Sequence, residues 1–199
     1  GRIGSDSATK ILDELVWKTP ALRADIFHAL HLCQFKLQPH NRAQHIDLMN
    51  HYITASTKIL FLIREVEKIS TAKILADALH LELNEIRNSL LLLFSFVYDK
   101  DKMMKAKSAF SMKKREGIAN ALEVIEIEVP KEISLKFNKI FEPGTIGDKC
   151  NAMQVYFKEQ LTYEKIIDDI LYIEGMGDYR RIHTKDKRLM TLQTFNELE

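Results

Sequence analysis

An apolar seam of threes and fours runs through the middle of the chain: Leu75, Leu79, Leu83, Ile86, Leu90, Leu93 and Val97. Steps of that size return to one face of an α-helix at every turn, whereas strand faces alternate every second residue. From Leu90 onward apolar residues spread round the whole circumference, the pattern of a helix buried on several sides. A membrane span needs about 20 apolar residues, and the run from Leu90 to Phe94 is broken at Ser95. The seam therefore predicts a core helix, capped at Ser70 or Thr71 and ending near Tyr98.

Upstream, Ile46, Met49, Ile53, Ser56, Leu60 and Ile63 repeat the spacing between Arg42 and Lys68. A helix of that length would extend roughly 40 Å. Two such rods in succession predict a long antiparallel helical hairpin. Before them, Asp6 or Ser7 can cap a first helix carrying Ile11, Leu12, Leu15 and Val16. Thr19-Pro20 restarts a second, with Leu22, Ile26, Leu30 and Cys33 on its stripe and its end before Pro39.

Downstream, a lysine-rich corner leads into a short helix from Met103 to Phe110, with Ser111 as a cap for the next. Ile118, Leu122, Ile125 and Val129 form that helix's stripe, which outweighs the strand-like alternation of Glu123–Val129. Pro130 begins another helix facing inward through Ile133, Phe137 and Ile140. Glu142-Pro-Gly-Thr-Ile-Gly-Asp148 is a loop and a candidate seam near 142–149. Then follow helices around Met153–Leu161 and from a Thr162 cap to Ile173, a Gly175-Met-Gly177 break, and a terminal helix from about Lys185. With only 4 prolines and 7 glycines in 199 residues, the chain lacks turn material for a β-sandwich. The expectation is all-α, one helical-repeat domain over residues 1–199.

Two stretches echo one another: Thr19-Pro20-Ala-Leu22-Arg23 with Ile26, Ala29 and Leu30, and Lys113-Lys-Arg115-Glu-Gly-Ile118 with Ala121 and Leu122. Small alanines allow close helix contact, and the arginine can reach carbonyls or an acidic group at the turn between repeats. This pattern resembles the α-α repeats of the HEAT family, and implies a HEAT-like solenoid interrupted by the long hairpin. A second resemblance covers Glu85 to Pro143. Arg87-Asn-Ser-Leu-Leu-Leu-Leu-Phe-Ser-Phe-Val-Tyr98-Asp99, then Asn120-Ala-Leu-Glu-Val-Ile-Glu126 and Val129-Pro-Lys-Glu132, is similar to the cytosolic HEAT-like repeat region of large bacterial ATP/ADP-translocase-like membrane proteins of the major facilitator type. That resemblance implies a cytosolic module at the membrane face, whose partners are flanking domains of its own chain or another protein. It implies no translocation by this stretch, which lacks membrane spans. The chain also lacks an initiator methionine and ends in a helical pattern, so we expect a piece of a longer protein.

Chemistry is sparse. There is no phosphate loop, Gly-x-Ser-x-Gly or His-Glu-x-x-His, and Gly175-Met-Gly177 follows no evident strand, so no enzyme, cofactor or catalytic residue is expected. A di-metal bundle could use Asp25-x-x-His28 and Asp77-x-x-His80, with His31 beside them. The apolar stripes offer none of the further inward carboxylates such a centre needs, so no metal is expected. Cys33 and Cys150 are too few and too far apart for a disulfide scaffold, which favours a reducing, cytoplasmic setting.

The sharpest polar feature is the basic corner of Lys100, Lys102, Lys105, Lys107, Lys113, Lys114 and Arg115. It could grip phosphates of a nucleotide, nucleic acid or lipid headgroup. Asp99, Asp101 and Glu116 dilute it, Tyr98 and Phe110 are its only aromatic neighbours, and the net charge is just +1. Those facts disfavour nucleic acid, and a helix-repeat DNA glycosylase with it. Charge runs commonly serve solubility. The leading expectation is thus a non-catalytic scaffold or coupling module, with binding of nucleic acid or an anionic surface at the basic corner, Lys100 to Arg115, as the alternative.

Overall fold

A computed structural model of the chain describes residues 6–156, 170–176, 179–184 and 188–191, with side chains described from 7 to 156. Residues 6–156 form only helices: α1 (Asp6–Lys18), α2 (Arg23–Leu32), α3 (Arg42–Val66), α4 (Lys73–Val97), α5 (Lys100–Met112), α6 (Arg115–Glu128), α7 (Lys131–Phe141) and α8 (Ile146–Met153). One-turn 3-10 segments at Pro20–Leu22, Pro39–Asn41 and Ser70–Ala72 lead into α2, α3 and α4. No helix among the described residues is long and apolar enough to cross a membrane.

The chain divides into two compact units. The first holds residues up to Thr54 together with Glu85–Pro143, and the second holds Ala55–Asn84 and the described residues from Gly144 onward. α3 and α4, 25 residues each, contribute to both.

In the first unit the core is built round the end of α4, where every residue from Leu90 to Phe96 is buried. Phe94 and Phe96 sit two positions apart, about 200° round the helix, and so serve different neighbours. Phe94 lies 5.4 Å from Phe137 of α7, which also meets Phe110 of α5 at 6.1 Å. Phe96 meets Phe27 of α2 and Phe35 at 6.2 and 5.4 Å. Arg42, the first residue of α3, donates from Nη1 to the Val97 carbonyl at 3.2 Å and lies over the Tyr98 ring. A cation against the terminal carbonyls of α4 complements its dipole.

α5, α6 and α7 pack on one another in chain order through two-residue connections. Asp99 caps α5 by accepting from the Lys102 backbone N–H at 2.9 Å. α5 is longer than expected: it begins at Lys100 and runs through Ser111, whose hydroxyl donates to the Lys107 carbonyl instead of capping α6. Lys113 ends it in the left-handed region, φ 54°. Arg23 does reach a carbonyl at the α1–α2 turn, donating from Nε to Val16 O at 2.8 Å. Leu22, expected on the α2 stripe, is 53% exposed because it sits in the 3-10 turn. Trp17, the one tryptophan, is 36% exposed near the end of α1.

In the second unit, Leu60, Ile63, Val66, Cys150 and Met153 are fully buried. The Cys150 thiol donates to the Leu60 carbonyl, and burial pushes its proton affinity up, which makes it an unreactive thiol. Thr145 caps α8, accepting from Asp148 N–H at 3.1 Å and donating to Asp148 Oδ2 at 2.7 Å. That pairing starts a helix inside a stretch expected to be loop.

The C-terminal expectation needs correction. Residues 170–191 contain a three-stranded antiparallel sheet, β1 (Ile170–Met176), β2 (Tyr179–Thr184) and β3 (Arg188–Thr191), in the order β1-β2-β3. The expected helix to Ile173 is therefore strand in its last four residues, and the start of the expected terminal helix is β3. The rest of both, and Leu161, lie outside the described residues. Gly175 is not a break but pairs with Arg180, and Met176 faces Tyr179 across Gly177-Asp178. β-branched and aromatic residues flanking Gly-Asp are a hairpin signal, and here they outweigh the helical spacing of the isoleucines.

Phe137 is fully buried with three aromatic partners. Phe137→Ala is expected to lower the unfolding free energy by about 3–5 kcal/mol, measured by chemical denaturation.

Candidate anion-binding face

α5 carries four lysines of the basic corner, and the α5–α6 turn carries the rest. Lys100 and Lys107 are seven apart, hence on one face of the helix about 10 Å apart along its axis. Both are half-buried, while Lys105, Lys113, Lys114 and Arg115 are exposed. Lys102 is withdrawn from the set: it pairs with Glu128 of α6, whose hydrogen bond and charge raise its proton affinity. The other six make no ion pair within the described residues.

The fold adds two groups that the sequence did not connect with this corner. His31 of α2 has its proton affinity lowered, first by burial, then by Lys100, His28 and Lys107. The α2 histidines and α5 lysines therefore share one field. His31 Nδ1 is buried without a hydrogen-bond partner, beside this concentration of positive charge. No carboxylate appears among the influences on His31. An anion placed here would meet two lysines at once and restore the charged form of His31.

The aromatic neighbours are not available for stacking. Phe110 is 2% exposed and lies under the Arg87 guanidinium at 5.0 Å, and Tyr98 is half-buried with its hydroxyl unpartnered. Binding of single-stranded nucleic acid relies on open aromatic faces, so the arrangement suits a surface of fixed anions better than bases. Asp99 still dilutes the corner: it caps α5 through the Lys102 N–H and its charge acts on Lys102. Asp101 and Glu116 remain exposed.

The histidines considered as metal ligands are placed otherwise. Among the described residues, no three His, Cys, Asp or Glu side chains gather as a metal site. His80 Nε2 lies 3.0 Å from Glu67 Oε1 in the second unit. Nothing in the spacing of His28 and His31 signals that His31 lies in the field of the α5 lysines, because that relation is tertiary. No protein-family model, curated protein or solved structure matches this chain.

Because His31 holds its proton less tightly in the folded chain, its contribution to stability is intact above the ordinary histidine range near 6.5. It is lost as pH falls through that range toward the folded-state value. Lys107→Gln is expected to raise the NMR titration midpoint of His31 and to shrink this acid-side loss. The rise should be partial, since burial is the larger cause.

Proposed function

We propose that this chain is a non-catalytic helical scaffold or coupling module that engages an anionic partner surface through the α2/α5 cationic face. The observation that carries the reading is that, among the described residues, six of the seven basic-corner residues make no ion pair, and His31 of α2 lies in the field of two of them. Surface lysines serving solubility alone would commonly sit beside carboxylates on neighbouring turns. Here Asp101 lies one turn before Lys105, yet among the described residues only Lys102 of the corner makes an ion pair, with Glu128 of α6.

The consecutive packing of α5, α6 and α7 supports a HEAT-like α-α repeat arrangement, in which stacked helices present one elongated face. On the resemblance to translocase-associated repeats, the anionic surface belongs to a flanking domain, a protein partner or the headgroups of the adjacent membrane. Cytosolic location and membership of a larger membrane protein are part of this proposal.

The test is binding of the 199-residue chain to vesicles rich in anionic lipid and to an acidic polypeptide, both at low salt. A lysine near an anionic surface contributes about 1 kcal/mol. Reversing Lys105, Lys107 and Lys114 to Glu should therefore weaken binding by at least about a hundredfold. Added salt should weaken the unmodified chain in the same direction. No binding of either probe by the unmodified chain refutes the anionic-partner reading.

A further inference from the structure

His45, near the start of α3, is fully buried, and its ring is set between the edge-on Trp17 of α1 and the roughly parallel Phe35. Its Nδ1 lies 3.0 Å from the Asn41 carbonyl oxygen. A carbonyl can only accept, so Nδ1 carries a hydrogen. In a neutral imidazole the other nitrogen, Nε2, then holds a lone pair. That nitrogen lies 3.8 Å from Asp13 Oδ1 of α1.

A carboxylate oxygen is also an acceptor. Both atoms are buried and neither has a hydrogen-bond partner among the described residues, while Asp13 Oδ2 is held by the Asn41 amide, which donates at 3.2 Å. Two desolvated acceptors facing one another are unfavourable on both counts: each lacks a donor, and their partial charges repel. One proton removes both defects. On Nε2 it converts the ring to an imidazolium that donates to Asp13, with the Phe35 face beside the new positive charge.

We propose that Asp13 and His45 form a proton-binding clasp that fastens α1 to the start of α3, closing when the site takes up one proton and loosening when it is lost. Asp13 is the ionisable group within ion-pair distance of His45 among the described residues; Asn41, Trp17 and Phe35 supply the other contacts. α1 is the element such a clasp can control. Val16 is its single buried side chain among the described residues, and its remaining described ties to neighbouring elements include the Arg23 bond to Val16 O and the Asp13–Asn41 bond. This inference is independent of the anionic-partner reading.

Asp13→Asn tests it, because an asparagine can keep its oxygen on Asn41 and turn its own N–H toward Nε2. The missing hydrogen is then supplied without a proton from solvent. In the 199-residue chain, the folding constant of the unmodified protein relative to Asp13→Asn should fall by up to tenfold per pH unit as the clasp proton is lost. The variant should be the more stable at alkaline pH and the less stable in acid. Parallel pH profiles, or a variant less stable at every pH, overturn the proposal. Ring nitrogen NMR of the unmodified chain decides independently of whether the variant folds. At the acid end of the profile His45 should carry hydrogens on both nitrogens, with Nε2–H shielded from exchange. A bare Nε2 under those conditions overturns the clasp.

Discussion

The burial of the last two turns of α4 is the constraint on which the first unit depends. Leu90 to Phe96 is buried without a gap, and a helix cannot hide its whole circumference against one neighbour. Phe94 and Phe96 divide the task. The first engages Phe137, and through it Phe110 and Phe141; the second engages Phe27 and Phe35. α2, α5 and α7 are thereby located by rings on a single helix. Offset aromatic pairs of this kind contribute about 0.5–1.5 kcal/mol each beyond their burial, and they specify geometry more tightly than aliphatic contact does. The exit of α4 is fixed by Arg42 on the Val97 carbonyl, and the next residues, Tyr98 and Asp99, turn the chain into α5.

That arrangement explains why much of the helical architecture was legible and some of its detail was not. The seams of α3 and α4 are long enough for their period to dominate, and Leu75 through Leu93 are buried as their spacing requires. The Glu123–Val129 stretch was a fair contest between strand alternation and helix stripe. It was settled by continuity with Ile118. At the C-terminal end the same reasoning misled, because short runs such as Ile170–Met176 satisfy both periods. Their β-branched and aromatic content, with Gly177-Asp178 between two of them, was the better guide. Boundaries were least legible where side chains choose among local partners. Ser111 bonds back to Lys107 and continues α5, while Thr145 finds Asp148 and starts α8.

The candidate face was half legible. Its lysines were evident as a run in the sequence, but a run does not say which charges are neutralised. Glu128 lies 26 residues from Lys102 and reaches it only because α5 and α6 pack together. His28 and His31 suggested a metal when read along α2. Read across to α5, they belong to a field of positive charge that disfavours cations. The buried His45 was hidden for a different reason: it lies one position off the Ile46–Met49–Ile53 stripe, where a polar residue reads as an edge. Its burial comes from Trp17 and Phe35 closing over that edge, and neither belongs to a periodic pattern pointing at α3.

The near-neutral charge of the whole chain is therefore a poor guide to its local electrostatics. A total of +1 conceals where the acidic residues are committed. Asp99 caps α5 through the Lys102 N–H and its charge acts on Lys102, Glu128 is paired with Lys102, and Asp13 is hydrogen-bonded to Asn41. Screening in physiological salt acts over about 8 Å. Carboxylates elsewhere on the surface do not cancel the α2/α5 field within that range unless they lie beside it. His31 reports that the nearby influences are positive: after burial, every named contribution to its shift is a cation or another histidine. A balanced composition can thus coexist with an unbalanced face, and the unbalanced face is what a docking partner meets.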